Sequence, residues 1–259
     1  MCASVPSPAP ACASPSPDAF TGEFEIHLTV DGSCPAVRSG ALAAQAAEQG
    51  WKYAHIVLDR GRTPDQPMVT LAADGTLGTA RSAAQEAAEE LAAAGCPVVR
   101  VKVEAAPWAC GVPATDGEGA ALGPAYYFEH HVKLLLPSGA ETARLAELVV
   151  GHAAHLSRNA RRVRADGQRE QFVTQRCRRV GSATAGRRLD ALLAALASFP
   201  DDDSSPDDPS PYDPSPYDVS PYDSSPYEIL SVEREFVVYD SAEVLDAGWI
   251  AEAEGVGQQ

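Results

Sequence analysis

The sequence predicts an α+β protein made of two internally duplicated ferredoxin-like (βαββαβ) repeats, giving two antiparallel sheets with helices on one face of each. Three observations predict it. The stretch Glu23 to Val30, EFEIHLTV, has a partner in Phe128 to Leu135, FEHHVKLL, so that Glu25 falls on Glu129 and His27 on His131 at an offset of 104. The offset persists downstream, with His55 on Asn159, Met68 on Phe172 and Thr70 on Thr174, and changes once. It becomes 131 where Val101–Glu104 meets Val232–Glu235, because a low-complexity insert of 27 residues intervenes. Within each copy the hydrophobic periodicity reads strand, helix, strand, strand, helix, strand, which is the ferredoxin-like order.

Each element has a local reason. In Glu23–Val30 the apolar Phe24, Ile26, Leu28 and Val30 alternate with Glu23, Glu25, His27 and Thr29, the period of a strand with one buried face. Asp31, Gly32 and Pro35 turn the chain, and a helix over 39–49 ends at Gly50. Strands follow at 51–58 and 68–72. A helix capped by Thr79 or Ser82 runs to Ala94, and Val98 to Ala105 alternates again. Residues 20–107 form the first repeat and 108–124 a Gly- and Pro-rich linker. The second repeat, 125–242, has a strand at 126–136, a helix at 140–157, a hairpin over 161–178 turning at Asp166-Gly167, a helix at 185–197 and a strand at 229–239. Residues 1–19, with five prolines and no Lys or Arg, read as a disordered arm. The insert 200–227, with SPYD or SPYE starting at Ser210, Ser215, Ser220 and Ser225, reads as a solvated acidic loop. Residues 243–259 form a tail in which Trp249 and Ile250 dock.

Composition bounds the function. With 259 residues, 45% of them hydrophobic, the chain can bury a sizeable core, and no apolar run approaches the roughly 20 residues that span a bilayer. The six cysteines show no CxxC pair and no His at metal spacing, which argues for a reducing, cytoplasmic setting of free thiols and against a zinc site or disulfide scaffold. The net charge of −16 is uneven: ten arginines lie between Arg158 and Arg188, while 200–228 carries eight Asp, one Glu and no basic residue. Such asymmetry points to an anionic partner.

The polar strand faces are where chemistry is expected. Two sheets that stack, or close edge to edge, place Glu25, His27, Thr29, Arg100, Lys102 and Glu104 opposite Glu129, His131, Lys133, Glu233 and Glu235, a polar cleft that calls for water, ion pairs or a ligand. His27 and His131 occupy equivalent positions and are assigned as acid–base partners; Thr29, Arg100, Lys102, Lys133 and Arg176 are assigned to ligand binding. His27-Leu28-Thr29 resembles one half of the His-x-Thr signature of the two-histidine phosphoesterases. That resemblance implies phosphodiester chemistry between two related lobes, although the second copy, His131-Val132-Lys133, lacks the hydroxyl. The expected ligand is therefore a small, phosphorylated anion, with no cofactor or metal assigned. Glu23, Glu25, Glu233 and Glu235 offer a second arrangement, in which they hold a divalent ion beside the phosphate-binding cations. His130 is read as a core histidine with satisfied ring nitrogens. A non-catalytic alternative uses the Arg-rich hairpin, 158–188, and the acidic loop to contact RNA or a protein.

Overall fold

The structure, a computed structural model, describes residues 19–140, 142–161, 164–198 and 227–249. The Pro-rich arm through residue 18, the SPYD insert through residue 226 and the tail beyond Trp249, including Ile250, lie outside them. The described residues contain eight strands: β1 Thr21–Val30, β2 Lys52–Leu58, β3 Asp65–Thr76, β4 Val98–Ala105, β5 Tyr127–Leu136, β6 Ala154–Asn159, β7 Arg169–Arg178 and β8 Glu228–Asp240. The helices are α1 Pro35–Ser39, α2 Ala41–Glu48, α3 Leu77–Ala93, α4 Asp116–Leu122, α5 Ala143–Val150 and α6 Ser182–Ala197.

The strands form one closed antiparallel barrel in the order β1-β3-β2-β6-β7-β5-β8-β4, which corrects the expectation of two separate sheets. In the ring β4-β1-β3-β2 are consecutive, and so are β8-β5-β7-β6. Two open four-stranded sheets would leave four edges with unpaired backbone groups, and closure pairs them. One seam joins Ile56–Leu58 of β2 to Ser157–Asn159 of β6; the other joins Lys102–Ala105 of β4 to Phe236–Asp240 of β8.

The apolar cores lie outside the barrel wall, between strands and helices. Phe24, Ile26, Leu28 and Val30 of β1 pack with Ala80, Ala84, Ala87 and Leu91 of α3, all buried. Val132, Leu134 and Val173 pack with Leu145 and Val149 of α5 and with Leu189, Leu192 and Leu196 of α6. Burying each such Leu, Ile or Phe contributes about 1.5–3 kcal/mol, so the alternating pattern fixes which face turns outward. The polar face is thereby turned into the barrel.

Several boundaries differ from expectation. The first helix breaks into α1 and α2 at Gly40, whose φ of 81° is a left-handed conformation. α3 starts earlier, at a capping box in which the Thr79 amide donates to the Thr76 hydroxyl at 3.2 Å and the Thr76 amide to the Thr79 hydroxyl at 2.9 Å. The supposed linker contains α4, with a second such box at Thr115 and Glu118. The long helix expected over 140–157 stops at Val150, and Ala153, with φ 53°, turns the chain into β6. The turn at Asp166-Gly167 is present, with the Gly167 φ at 79°. Two cysteines that look scattered in sequence, Cys34 and Cys96, meet with sulfurs 3.0 Å apart as buried thiols. Among the described residues no helix is long and apolar enough to cross a membrane.

Candidate functional site inside the barrel

The barrel encloses a cavity of about 200 Å³. Of the residues assigned from sequence, His27, His131, Thr29, Arg100, Lys102 and Arg176 line it. Lys133 does not: its ammonium lies 2.8 Å from Glu170 and 5.9 Å from the Phe172 ring.

Sheet register sets the geometry. Across β1 and β4, Glu25 lies opposite Glu104 and His27 opposite Lys102. Across β5 and β8, Glu129 lies opposite Glu235 and His131 opposite Glu233. Each histidine also faces a threonine on its other neighbour: His27 Nδ1 is 2.8 Å from Thr70 Oγ1, and His131 Nδ1 is 3.0 Å from Thr174 Oγ1.

Charges of opposite sign then alternate along the wall. His27 Nε2 donates to Glu104 at 2.6 Å. The Lys102 ammonium sits between Glu104, at 2.7 Å, and Glu129, at 2.6 Å. His131 Nε2 reaches Glu129 at 3.4 Å and Glu235 at 3.3 Å. On its far side Glu129 accepts from Arg176 at 2.5 Å, Arg176 donates to Asp246 at 2.6 Å, and Arg100 spans Asp246 and Asp240 at 2.9 and 2.5 Å. Burial opposes the charges on Arg100, Lys102, Glu104, Glu129, His131, Arg176 and Asp246, and their neighbours override it. Glu104 is held well below the usual carboxylate range, chiefly by Lys102 and then His27, and Glu129 likewise by Arg176 and Lys102. Burial also disfavours the His131 cation, yet Glu129 and Glu235 raise it to about 10, so it is an imidazolium at neutral pH. Glu235 moves the other way: burial, then repulsion from Glu104, raises it.

The carboxyl-terminal segment closes one end. Asp246, in a short 3₁₀ turn over Glu243–Asp246, is buried against Arg100 and Arg176 and accepts from Gln66 at 3.0 Å. Trp249 packs behind it, its indole donating to the Leu156 carbonyl at 2.9 Å. At the other end Glu23, Glu25, Asp74, Glu233 and Glu235 border a wider opening of about 860 Å³, with exposed Trp108 beside it.

The balance of charge is acidic. Seven carboxylates, Glu25, Glu104, Glu129, Glu233, Glu235, Asp240 and Asp246, stand at or directly behind the wall against three permanent cations, Arg100, Lys102 and Arg176, and the His131 imidazolium, with the exposed Lys52 on Glu25 at the rim. Each of the three permanent cations already has at least two carboxylate partners. Sequence spacing alone could not reveal this, because the partners come from other strands and from the tail.

The remaining expectations separate. His130 is buried as expected, but neither ring nitrogen has a partner among the described residues, and burial pushes its pKa down to about 4. Four of the described arginines of 158–188 go to different partners. Arg176 enters the barrel, Arg164 pairs with Asp166, Arg169 donates to the Ala140 carbonyl and Arg178 pairs with Glu243.

No family model and no curated protein matches this chain. Among solved structures it is similar to the ligand-free regulatory subunit of aspartate kinase from Thermus thermophilus, at 17% identity over 69% of this chain and 99% of that one, with a TM-score of 0.27. It is also similar to the regulatory subunit of aspartate kinase from Thermus flavus, at 17% identity over 68% and 93%, with a TM-score of 0.26.

Proposed function

We propose that this chain is an internally duplicated ferredoxin-like protein whose two repeats close into one barrel, and that the barrel binds a small cationic ligand. The observation that carries this reading is the excess of carboxylates in a cavity whose own cations are already paired. Uncompensated carboxylates in a poorly solvated space favour a positive charge and repel a negative one.

The phosphorylated ligand expected from sequence finds less support. A phosphate entering the cavity would have to compete with Glu104, Glu129 and Asp246 for Lys102, Arg100 and Arg176, and would meet Glu25 and Glu233 at the mouth. Acid–base work by the two histidines also loses ground, since both nitrogens of each ring are engaged and His131 is held as a cation. In this reading His27 and His131 orient the carboxylates, and Thr29 lines the polar wall.

Thermal unfolding against a panel of small amines, guanidines, divalent cations, inorganic phosphates and nucleotides tests the proposal. A cation at a hundred times its Kd should raise stability by about 2.7 kcal/mol, a shift of several degrees in Tm. Stabilisation by phosphates or nucleotides alone would overturn it.

A further inference from the structure

The carboxylates of the barrel fall into two counterpart clusters, and only one has an ammonium buried between its carboxylates; the other is met from the rim by the exposed Lys52 and from inside by His131. Glu104, Glu129 and His131 bring their ligand atoms within 4.8 Å of one another, as do Glu25, His27 and Glu235. The register makes the clusters equivalent: Glu104 faces Glu25 as Glu235 faces Glu129, and Lys102 faces His27 as Glu233 faces His131. In the first cluster the Lys102 ammonium lies between Glu104 and Glu129. In the second, the strand position equivalent to Lys102 carries Glu233, so the charge that fills the first cluster is replaced by its opposite.

We propose that Glu25, His27 and Glu235 bind one divalent metal ion of the manganese, iron or zinc class at the open end of the barrel. This rests on the cation-binding reading above and makes it specific. One imidazole nitrogen with two carboxylates is a donor set for those ions, which take such ligands at about 2.0–2.2 Å, and not for soft cuprous copper. The atoms are placed for small adjustments. His27 Nε2 lies 4.0 Å from Glu25 Oε2, while Lys52, which is largely exposed, occupies only Glu25 Oε1. Thr70 anchors the Nδ1 side of the ring, as the supporting partner of a metal-ligating histidine does. On metal binding the neutral imidazole changes tautomer: the Nε2 proton now donated to Glu104 is released to solvent, Nδ1 takes one up from solvent, and the Thr70 hydroxyl turns to accept from Nδ1. Three protein ligands leave further coordination positions facing the cavity.

The test uses the full chain, stripped with chelator and dialysed, titrated with MnCl₂ or ZnCl₂ by calorimetry, with the electron paramagnetic resonance of Mn²⁺ as a second readout. Wild type should take up one ion per chain. Glu233→Lys places an ammonium where the first cluster has one; it should weaken metal binding about 100-fold or more while leaving thermal stability equal or higher. His27→Ala should weaken it similarly. Failure of wild type to bind either metal, or unchanged binding in both variants, overturns the proposal. If small amines stabilise the protein while metals do nothing, the metal site falls and the cation-binding reading stands; if neither class binds, both fall.

Discussion

Replacing Lys102 by methionine removes one charge from the middle of the internal network and keeps the length of the side chain. The ammonium is 2.6 Å from Glu129 and 2.7 Å from Glu104, and all three residues are buried. Methionine preserves the aliphatic packing, so the change isolates the charge. Deleting one member of a buried, hydrogen-bonded ion pair costs about 3–5 kcal/mol, because the remaining charge stays buried without its partner. At about 2–4 °C per kcal/mol for a protein of this size, Tm should fall by about 6–20 °C. Urea unfolding at pH 7 and low salt measures the loss directly. The sign of its pH dependence follows from the carboxylates. Glu104 and Glu129 have depressed values in the folded protein, so the stability they supply is present above about pH 4.3 and is lost as pH falls through their folded values. The gap between wild type and Lys102→Met should therefore be full at neutral pH and narrow on acidification. Adding Glu104→Gln to Lys102→Met should recover part of the loss. A loss below about 1 kcal/mol at pH 7 would refute the reasoning and mean that solvent screens this pair as it does surface ion pairs.

His131 has its folded pKa raised to about 10, so its contribution is complete below the unfolded value near 6.5 and disappears as pH rises through 10. The stability difference between wild type and His131→Gln, from urea unfolding across a pH series, should be largest at pH 6.5 and below and close by about pH 10.5. His130, buried with both ring nitrogens unpartnered, has its pKa lowered to about 4, which makes protonation in the unfolded state a source of acid instability. His130→Leu should leave stability unchanged or raise it by about 1 kcal/mol at pH 7, with a larger gain at pH 5, in the same assay. Asp246→Asn weakens the hold of Arg100 and Arg176 on the carboxyl-terminal segment; limited proteolysis should cut after Ser241 at lower protease concentration, with about 3 kcal/mol lost on unfolding.

What was legible in the sequence was local and periodic. The alternation in EFEIHLTV identified both faces of β1, and the offset of 104 put His27 and His131 in matching places. Both faces went where the pattern sent them, Phe24, Ile26 and Leu28 under helices and Glu25, His27 and Thr29 into the barrel. The choice between stacking and edge-to-edge closure was not legible, because closure depends on three-residue pairing of β2 with β6 and a bulged pairing of β4 with β8, which leave no mark in composition. β6 was lost inside an apolar run that also reads as helix, and Gly151 was the only warning. The Thr115-x-x-Glu118 capping box could have revealed α4. The charge partners of Arg100 are Asp240 and Asp246, 140 or more residues away, and Asp246 also holds Arg176, so two paired cations looked free.

The most direct test of the account is the imidazole nitrogen spectrum of His27 and His131, followed by NMR while the full chain is titrated with cations and then with phosphates. The account predicts that His131 remains protonated at pH 7.5, and that Mn²⁺-class or amine cations perturb His27 first and His131 with it, while inorganic phosphate moves neither. A neutral His131, together with a joint response to phosphate and silence towards every cation, would contradict it.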